Sequence, residues 1–195
     1  MEAYLDNSAT TRVDAQVQEL MKKLMDVDFG NPSSRHQKGV VAEGYIKEAR
    51  QKIAATLKVD PKELIITSGG TESNNMALIG TALAAKRKGN HIITTAVEHP
   101  SVKATASFLE EQGFRITFLS VDSRGQISLE DLKEALTPDT ILVSIMYVNN
   151  EIGTIQPVEE AAKLVHATVP GAVFHVDAIQ AYGKYRILPK KEGID

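Results

Sequence analysis

Short runs of aliphatic and β-branched residues alternate along this chain with longer stretches in which apolar positions recur every three or four residues. The first pattern predicts strands and the second amphipathic helices. Strands are expected over 64–68, 91–96, 115–119, 140–147 and 172–177. Helices are expected from Asp14 to about Val27, over 37–57, from Thr71 to the basic run Lys86-Arg87-Lys88 and over 101–112. Two more are expected, from the Ser128-Leu129-Glu130-Asp131 capping box to Leu136 and from Pro157 to about Val169. The stripe Val17, Leu20, Met21, Leu24 and Met25, and the stripe Met76, Ile79 and Leu83, are expected to face the core. Phe29-Gly30-Asn31-Pro32-Ser33-Ser34-Arg35 has no period and is dense in turn formers, so it reads as a loop. The 140–147 run is the most apolar strand, the kind a parallel sheet buries on both faces.

Strands alternating with helices argue for an α/β fold with a mostly parallel sheet flanked by helices. In such sheets ligands gather past the carboxyl ends of the strands. Four polar tips stand there: Gly70-Thr71, Glu98-His99, Asn149-Asn150-Glu151, and Asp177 with Gln180. After the 64–68 strand, Gly69 and Gly70 let the backbone approach a ligand closely, and the first-turn amides beyond suit a phosphate, with the Thr71 hydroxyl as a further donor. The same residues also describe a capped helix after a strand, since Thr followed by Glu72 is ordinary helix-start chemistry. The run matches neither the triphosphatase loop nor the dinucleotide fingerprint, so a small phosphorylated cofactor fits better. Asp177 is costly to bury unless something cationic or hydrogen-bonding meets it. A protonated pyridine nitrogen meets that need, and so does a turn that the carboxylate caps. His99, ahead of a proline, is placed to stack on a flat cofactor or to move protons near neutral pH. Asn150 and Gln180 offer amides that orient oxygens. His175 lies inside a strand and reads as a satisfied sheet residue.

The 195 residues are 43% hydrophobic with a formal net charge of −3, enough for one sizeable core but with no basic field for nucleic acid. No apolar run approaches a membrane span, and the start Met1-Glu2-Ala3-Tyr4 is acidic where a signal peptide is basic. A soluble cytoplasmic protein is expected. With no cysteine, these residues supply no disulfide, no thiolate metal site and no cysteine nucleophile, and no histidine or acid spacing suggests a metal.

Tyr4-Leu5-Asp6-Asn7-Ser8-Ala9-Thr10-Thr11, Phe29-Gly30-Asn31-Pro32-Ser33-Ser34, Thr67-Ser68-Gly69-Gly70-Thr71-Glu72-Ser73, Glu98-His99, Asn149-Asn150-Glu151-Ile152-Gly153 and His175-Val176-Asp177-Ala178-Ile179-Gln180 stand in a familiar order. Their order and spacing resemble those of the cysteine desulfurases of iron-sulfur cluster assembly, over essentially the whole chain. The resemblance implies the large-domain architecture of the fold-type I pyridoxal-phosphate enzymes in the class V aminotransferase family. It makes 1–13 an N-terminal segment and 14–195 a partial cofactor-binding domain. Carried over by position, it implies that Gly70 and Thr71 hold the phosphate of pyridoxal 5′-phosphate. His99 would stack on the ring and transfer protons, Asp177 would pair with the pyridine nitrogen, and Gln180 would contact the phenolic oxygen. Asn150 would help hold the cofactor or the substrate carboxylate.

The implied substrate is L-cysteine, which leaves alanine and an enzyme persulfide for an iron-sulfur scaffold or another acceptor protein, in a homodimeric enzyme. The family's Schiff-base lysine, in a Ser-x-His-Lys run, its nucleophilic cysteine, its substrate-binding arginine and most of its small domain are expected beyond Asp195, so residues 1–195 alone are expected to be inactive. Two strands that the family places between its 64–68 and 172–177 equivalents are expected there too, leaving two open ladders. The alternatives are a non-catalytic binding or dimerisation piece, and a selenocysteine lyase or other class V aminotransferase-like enzyme. The loop at 29–34 and the run at 149–153 favour the desulfurase.

Overall fold

The computed structural model describes residues 2–195; Met1, at the head of the expected N-terminal segment, lies outside them. The chain divides into two compact units, Met1–Ile65 and Ile66–Asp195.

The first unit holds helices α1 (Ala15–Asp26) and α2 (Gln37–Leu57) and a 3₁₀ turn (Pro61–Glu63). Asp14 caps α1 by accepting the Gln16 N–H at 2.8 Å, and the turn closes with a capping box between Asp60 and Glu63. The loop over 29–35 presses on the start of α2. A Cβ at Gly30 would lie 2.2 Å from the Lys38 carbonyl oxygen, and one at Gly39 2.1 Å from that of Ser34, so both places demand glycine. Tyr45 of α2 donates to Asp28 at 2.7 Å and accepts from Lys23 at 2.8 Å, fixing the end of α1. The expected core stripe of α1 is corrected here. None of its residues is buried, and Met25 is 71% exposed. An apolar stripe is buried only where another element covers it, and among the described residues of this unit only Leu24 of the stripe is even partly covered.

The second unit is built on a four-stranded parallel sheet. Its strands are β1 (His91–Thr95), β2 (Arg115–Leu119), β3 (Thr140–Ser144) and β4 (Val173–His175), in the order β2-β1-β3-β4. Ahead of them runs α3 (Gly70–Ala85), and between and after them run α4 (Pro100–Glu111), α5 (Leu129–Ala135), α6 (Val158–Thr168) and α7 (Pro189–Glu192). Alternate strand residues serve opposite faces. Ile92 and Leu142 pack with Leu78 and Ala82 of α3 and with Val102 and Leu109 of α4. Ile93, Val143 and Phe174 pack with Leu132 of α5 and with Ala161, Ala162 and Val165 of α6. Helices therefore cover both faces, and β3 is buried at every position. At the amino end of β1, His91 is wholly buried between the Thr140 and Thr117 hydroxyls, each 2.8 Å from a ring nitrogen. Burial, reinforced by the charge of Arg115, pushes its pKa down to about 4, so the ring is a neutral spacer.

Two expectations change. The 64–68 run is not a strand; Leu64 has an extended backbone, but no neighbour among the described residues supplies a ladder, and Ile65 and Ile66 are 70% and 59% exposed. An extended run becomes a strand only by pairing. Second, α3 buries Asn74, Leu78 and Ala82, while Met76 and Leu83 are exposed and Ile79 is only partly covered. Its apolar residues lie on more than one side, and the face carrying a buried amide is the one that meets the sheet. One element has no counterpart in the sequence reading: α7 is a single turn with no sequence period to announce it. The ladder of β3 and β4 continues loosely beyond their ends, with Ile145 N–H donating to the His175 carbonyl and Tyr147 N–H to that of Asp177. On the outer edge of β4 Asp195 is bonded, its carboxylate accepting the Phe174 N–H at 2.8 Å and its own N–H donating to the Phe174 carbonyl at 3.1 Å.

Urea unfolding tests this placement. Phe174→Ala should lower stability by about 3–5 kcal/mol, and Ile65→Ala by no more than about 0.5 kcal/mol; the opposite ranking would contradict it.

Candidate active site

Gly69 is extended and Gly70 opens α3, whose first internal bond runs from Ser73 N–H to the Gly69 carbonyl at 3.1 Å. The amides of Gly70, Thr71 and Glu72 have no acceptor within the helix and carry its positive dipole end, an arrangement suited to an anion. Side chains lace this loop into shape. Glu72 turns back to accept both the hydroxyl and the N–H of Ser68 at 2.6 Å, bonds that hold its carboxyl below the usual range. The Thr67 and Ser73 hydroxyls meet at 2.7 Å. A Cβ on Gly70 would sit 2.8 Å from Cδ1 of Ile179, so the start of α3 abuts the turn that follows β4.

That turn carries Asp177, only 8% exposed. Its Oδ1 accepts the Ile179 N–H at 3.0 Å and its Oδ2 accepts from Nδ2 of Asn74 at 2.9 Å. Asn74 stands one helical turn after Gly70, and the same amide nitrogen donates to Oγ of Ser101 at 3.0 Å. Ser101 in turn meets Nδ1 of His99 twice, through its hydroxyl at 2.8 Å and its backbone N–H at 3.1 Å. A backbone N–H only donates, so Nδ1 is an acceptor and the ring proton of neutral His99 sits on Nε2. His99 is the N-cap of α4 and is half-buried. Asp177, Asn74, Ser101 and His99 thus form one hydrogen-bonded chain that joins the end of β4, the first turns of α3 and α4, and the end of β1.

The tip of β3 is stapled alongside by Asn149. Its Nδ2 donates to the Val97 carbonyl at 2.9 Å, and its Oδ1 accepts the N–H groups of Glu151 and Ile152. Half-buried Asn150 is held in that loop and takes no part in the Asp177 chain. Gln180 shares the turn after β4, with its Oε1 accepting from Lys184 at 3.1 Å. Thr71 is exposed at the start of α3.

Glu98 is the buried acid of the site, 2% exposed. Its Oε1 accepts the Thr95 hydroxyl at 2.9 Å and the Met146 N–H at 2.8 Å, binding the tip of β1 to that of β3. Its Oε2 is buried with no partner among the described residues. Burial pushes its pKa up to about 7, the charge of Asp177 adding to it and the two hydrogen bonds and Lys103 opposing. His175 lies inside β4 with Nδ1 2.9 Å from Oγ of Ser144, and burial pushes it down to about 4, against the pull of Asp177. The structure therefore agrees with the reading of His175 as a satisfied sheet residue.

Sequence reading passed over Asn74 and Ser101, and placed Asn149 and Glu98 among the polar tips without giving either a role. The position of Asn74, four residues after Gly70 and so on the same face of α3, was the available signal. That of Ser101 was its place two residues after a capping histidine. Among the described residues no group of three histidines or acids is placed to hold a metal, and no helix is long and apolar enough to cross a membrane.

The family model described as aminotransferase class V matches residues 3–195. The chain belongs to the class V aminotransferase family. Among similar members, the putative cysteine desulfurase IscS 1 of Bacillus subtilis is 48% identical over 192 residues, 98% of this chain and 50% of that protein. A solved NifS-like protein superposes with a TM-score of 0.97 at 42% identity, covering all of this chain and 53% of its own. SspA, solved in complex with cysteine, gives 0.93 at 39% identity, over 98% of this chain and 55% of its own. The chain spans about half the length of the curated relatives it matches. The parallel α/β sheet is the fold these class V relatives share with it.

The pKa of Glu98 makes a signed prediction. A carboxyl that binds its proton more tightly when folded contributes stability that is fully present below its ordinary value of 4.5 and lost as pH rises to about 7. His91 and His175 run the other way, losing stability as pH falls from 6.5 towards about 4. The difference between wild type and Glu98→Gln isolates the acid. From pH 5 to pH 8 the wild type should lose on the order of 3 kcal/mol relative to the variant, read from urea midpoints; parallel profiles would contradict it.

Proposed function

We propose that this chain is the cofactor-holding part of a pyridoxal-phosphate-dependent cysteine desulfurase. The observation that carries the reading is Asp177. It is a nearly buried carboxylate with two neutral N–H donors and, among the described residues, no cation within ion-pair distance. Buried charge calls for an opposite charge. Each of its oxygens has a further lone pair to offer, and a pyridinium N–H is a cationic donor of the required kind. The anion-suited start of α3 lies against the same turn, so the residues fit a ligand with a phosphate at one end and a basic ring nitrogen at the other.

In this reading the Gly70 and Thr71 amides and the Thr71 hydroxyl hold the phosphate, and Asp177 holds the ring nitrogen. Gln180 faces the phenolic oxygen, and Asn150 holds the cofactor or the substrate carboxylate. His99 would lie against the ring, with Nε2, the nitrogen that its bonds to Ser101 leave available, as the atom that would hold or move a proton. Pyridoxal 5′-phosphate supplies the electron sink that labilises bonds around the substrate's α-carbon. The overall change takes L-cysteine to alanine and leaves the sulfur as an enzyme persulfide. These residues include no cysteine, so the persulfide forms on a residue outside them. Family resemblance extends the reading to transfer of the sulfur to an iron-sulfur scaffold or other acceptor, by a homodimer in the cytoplasm. The similarity to relatives named cysteine desulfurase supports this reaction over the selenocysteine lyase alternative.

Two outcomes follow. Binding of 4′-deoxypyridoxine 5′-phosphate, which lacks the lysine-reactive aldehyde, should be weakened about 10- to 100-fold by Asp177→Ala, the loss expected for a charge-assisted hydrogen bond. Unchanged affinity by fluorescence titration would contradict the assignment. Residues 1–195, supplied with pyridoxal 5′-phosphate and L-cysteine, should release no sulfide above a protein-free control, and sustained release would overturn the placing of the persulfide outside them.

A further inference from the structure

We propose that Asn74 is a positioning residue that couples Asp177 to His99, so that the groups meant for the ring nitrogen and for the ring face answer to one buried amide. The cofactor side of this inference rests on the function proposed above; the coupling itself rests on the chain's own hydrogen bonds. Asn74 is 4% exposed and Ser101 7%, in a region where hydrogen bonds are little screened by water. The two protons on Nδ2 of Asn74 are divided between Oδ2 of Asp177 at 2.9 Å and Oγ of Ser101 at 3.0 Å. A carboxylate accepts only, so the amide nitrogen and not its oxygen must face Asp177, and the orientation is settled by chemistry. Having accepted from Asn74, the Ser101 hydroxyl gives its own proton to Nδ1 of His99 at 2.8 Å, beside the backbone N–H of the same serine.

The direction of coupling follows from this donor order. Donation to a carboxylate loads electron density onto the amide nitrogen and weakens its second N–H as a donor. A cation placed on Asp177 draws that density away. The second N–H then binds the Ser101 oxygen more strongly, the Ser101 hydroxyl becomes a better donor, and Nδ1 of His99 is gripped harder. A protonated ring nitrogen thereby tightens the imidazole that works on the same ring, with the Nε2 proton kept outward.

A double-mutant cycle read at His99 tests this without any ligand. In the ¹⁵N-labelled chain, Asp177→Asn should move the Nδ1 resonance of His99 when Asn74 is present and by much less in the Asn74→Ala background. An equal shift in both backgrounds, or none in either, overturns the coupling. Should Asn74→Ala fail to fold by circular dichroism, Ser101→Ala breaks the next link with a smaller change, and the same comparison applies. On the cofactor side, Asn74→Ala should weaken 4′-deoxypyridoxine 5′-phosphate about tenfold with Asp177 present, and less than about twofold in the Asp177→Asn background. Additive losses would reduce Asn74 to a structural residue. A wild-type chain that fails to bind the analogue would sink the cofactor reading, while the resonance cycle still decides the coupling.

Discussion

A carboxylate that is nearly sealed from water and, among the described residues, has no cation beside it is the constraint around which the second unit is arranged. Asp177 is held by the backbone amide of Ile179 and the side-chain amide of Asn74, two neutral donors that orient it without neutralising it. Much else follows from keeping those donors in place. Asn74 reaches Asp177 because α3 starts against the turn after β4, where Gly70 lies beside the Ile179 side chain. The parallel sheet brings the ends of β1, β3 and β4 to one rim, and Glu98 and Asn149 staple neighbouring tips together with buried hydrogen bonds. The sheet supplies the rim, and the polar contacts fix each tip on it.

Such an arrangement is less stable than it would be without function. A buried acid with an oxygen that has no partner among the described residues, and a buried charge with no counterion among them, both oppose folding, and they cluster at the carboxyl ends of the strands. The amino end of the sheet shows the contrast. There His91 finds a hydroxyl for each ring nitrogen, so its burial is satisfied locally and leaves nothing for a ligand to complete.

Much of this was legible in the sequence, and the reasons differ by element. The strands at 91–95 and 115–119 and the helix over 37–57 stand where their periods put them, because local pattern and tertiary burial agree. The 64–68 run has the composition of a strand but lacks a partner to pair with, which no local pattern reveals. The stripe on α1 was read as core for the same reason, since amphipathicity announces a face but not the element that covers it. At the site, the residue types that advertise chemistry, Asp177 and His99, were visible from their places past strand ends. Asn74 and Ser101 were not, because an amide or hydroxyl in the first turn of a helix looks like ordinary capping until the fold brings a distant carboxylate to it. The match to the class V aminotransferase family, over 3–195, spans both sets of residues.

The central claim is that Asp177 awaits a positively charged ring nitrogen. Nitrogen NMR of pyridoxal 5′-phosphate labelled at its ring nitrogen and bound to the chain reads that charge directly. A protonated ring nitrogen in the wild type that becomes unprotonated in Asp177→Ala is the predicted result; an unprotonated nitrogen beside an intact Asp177 would contradict the account.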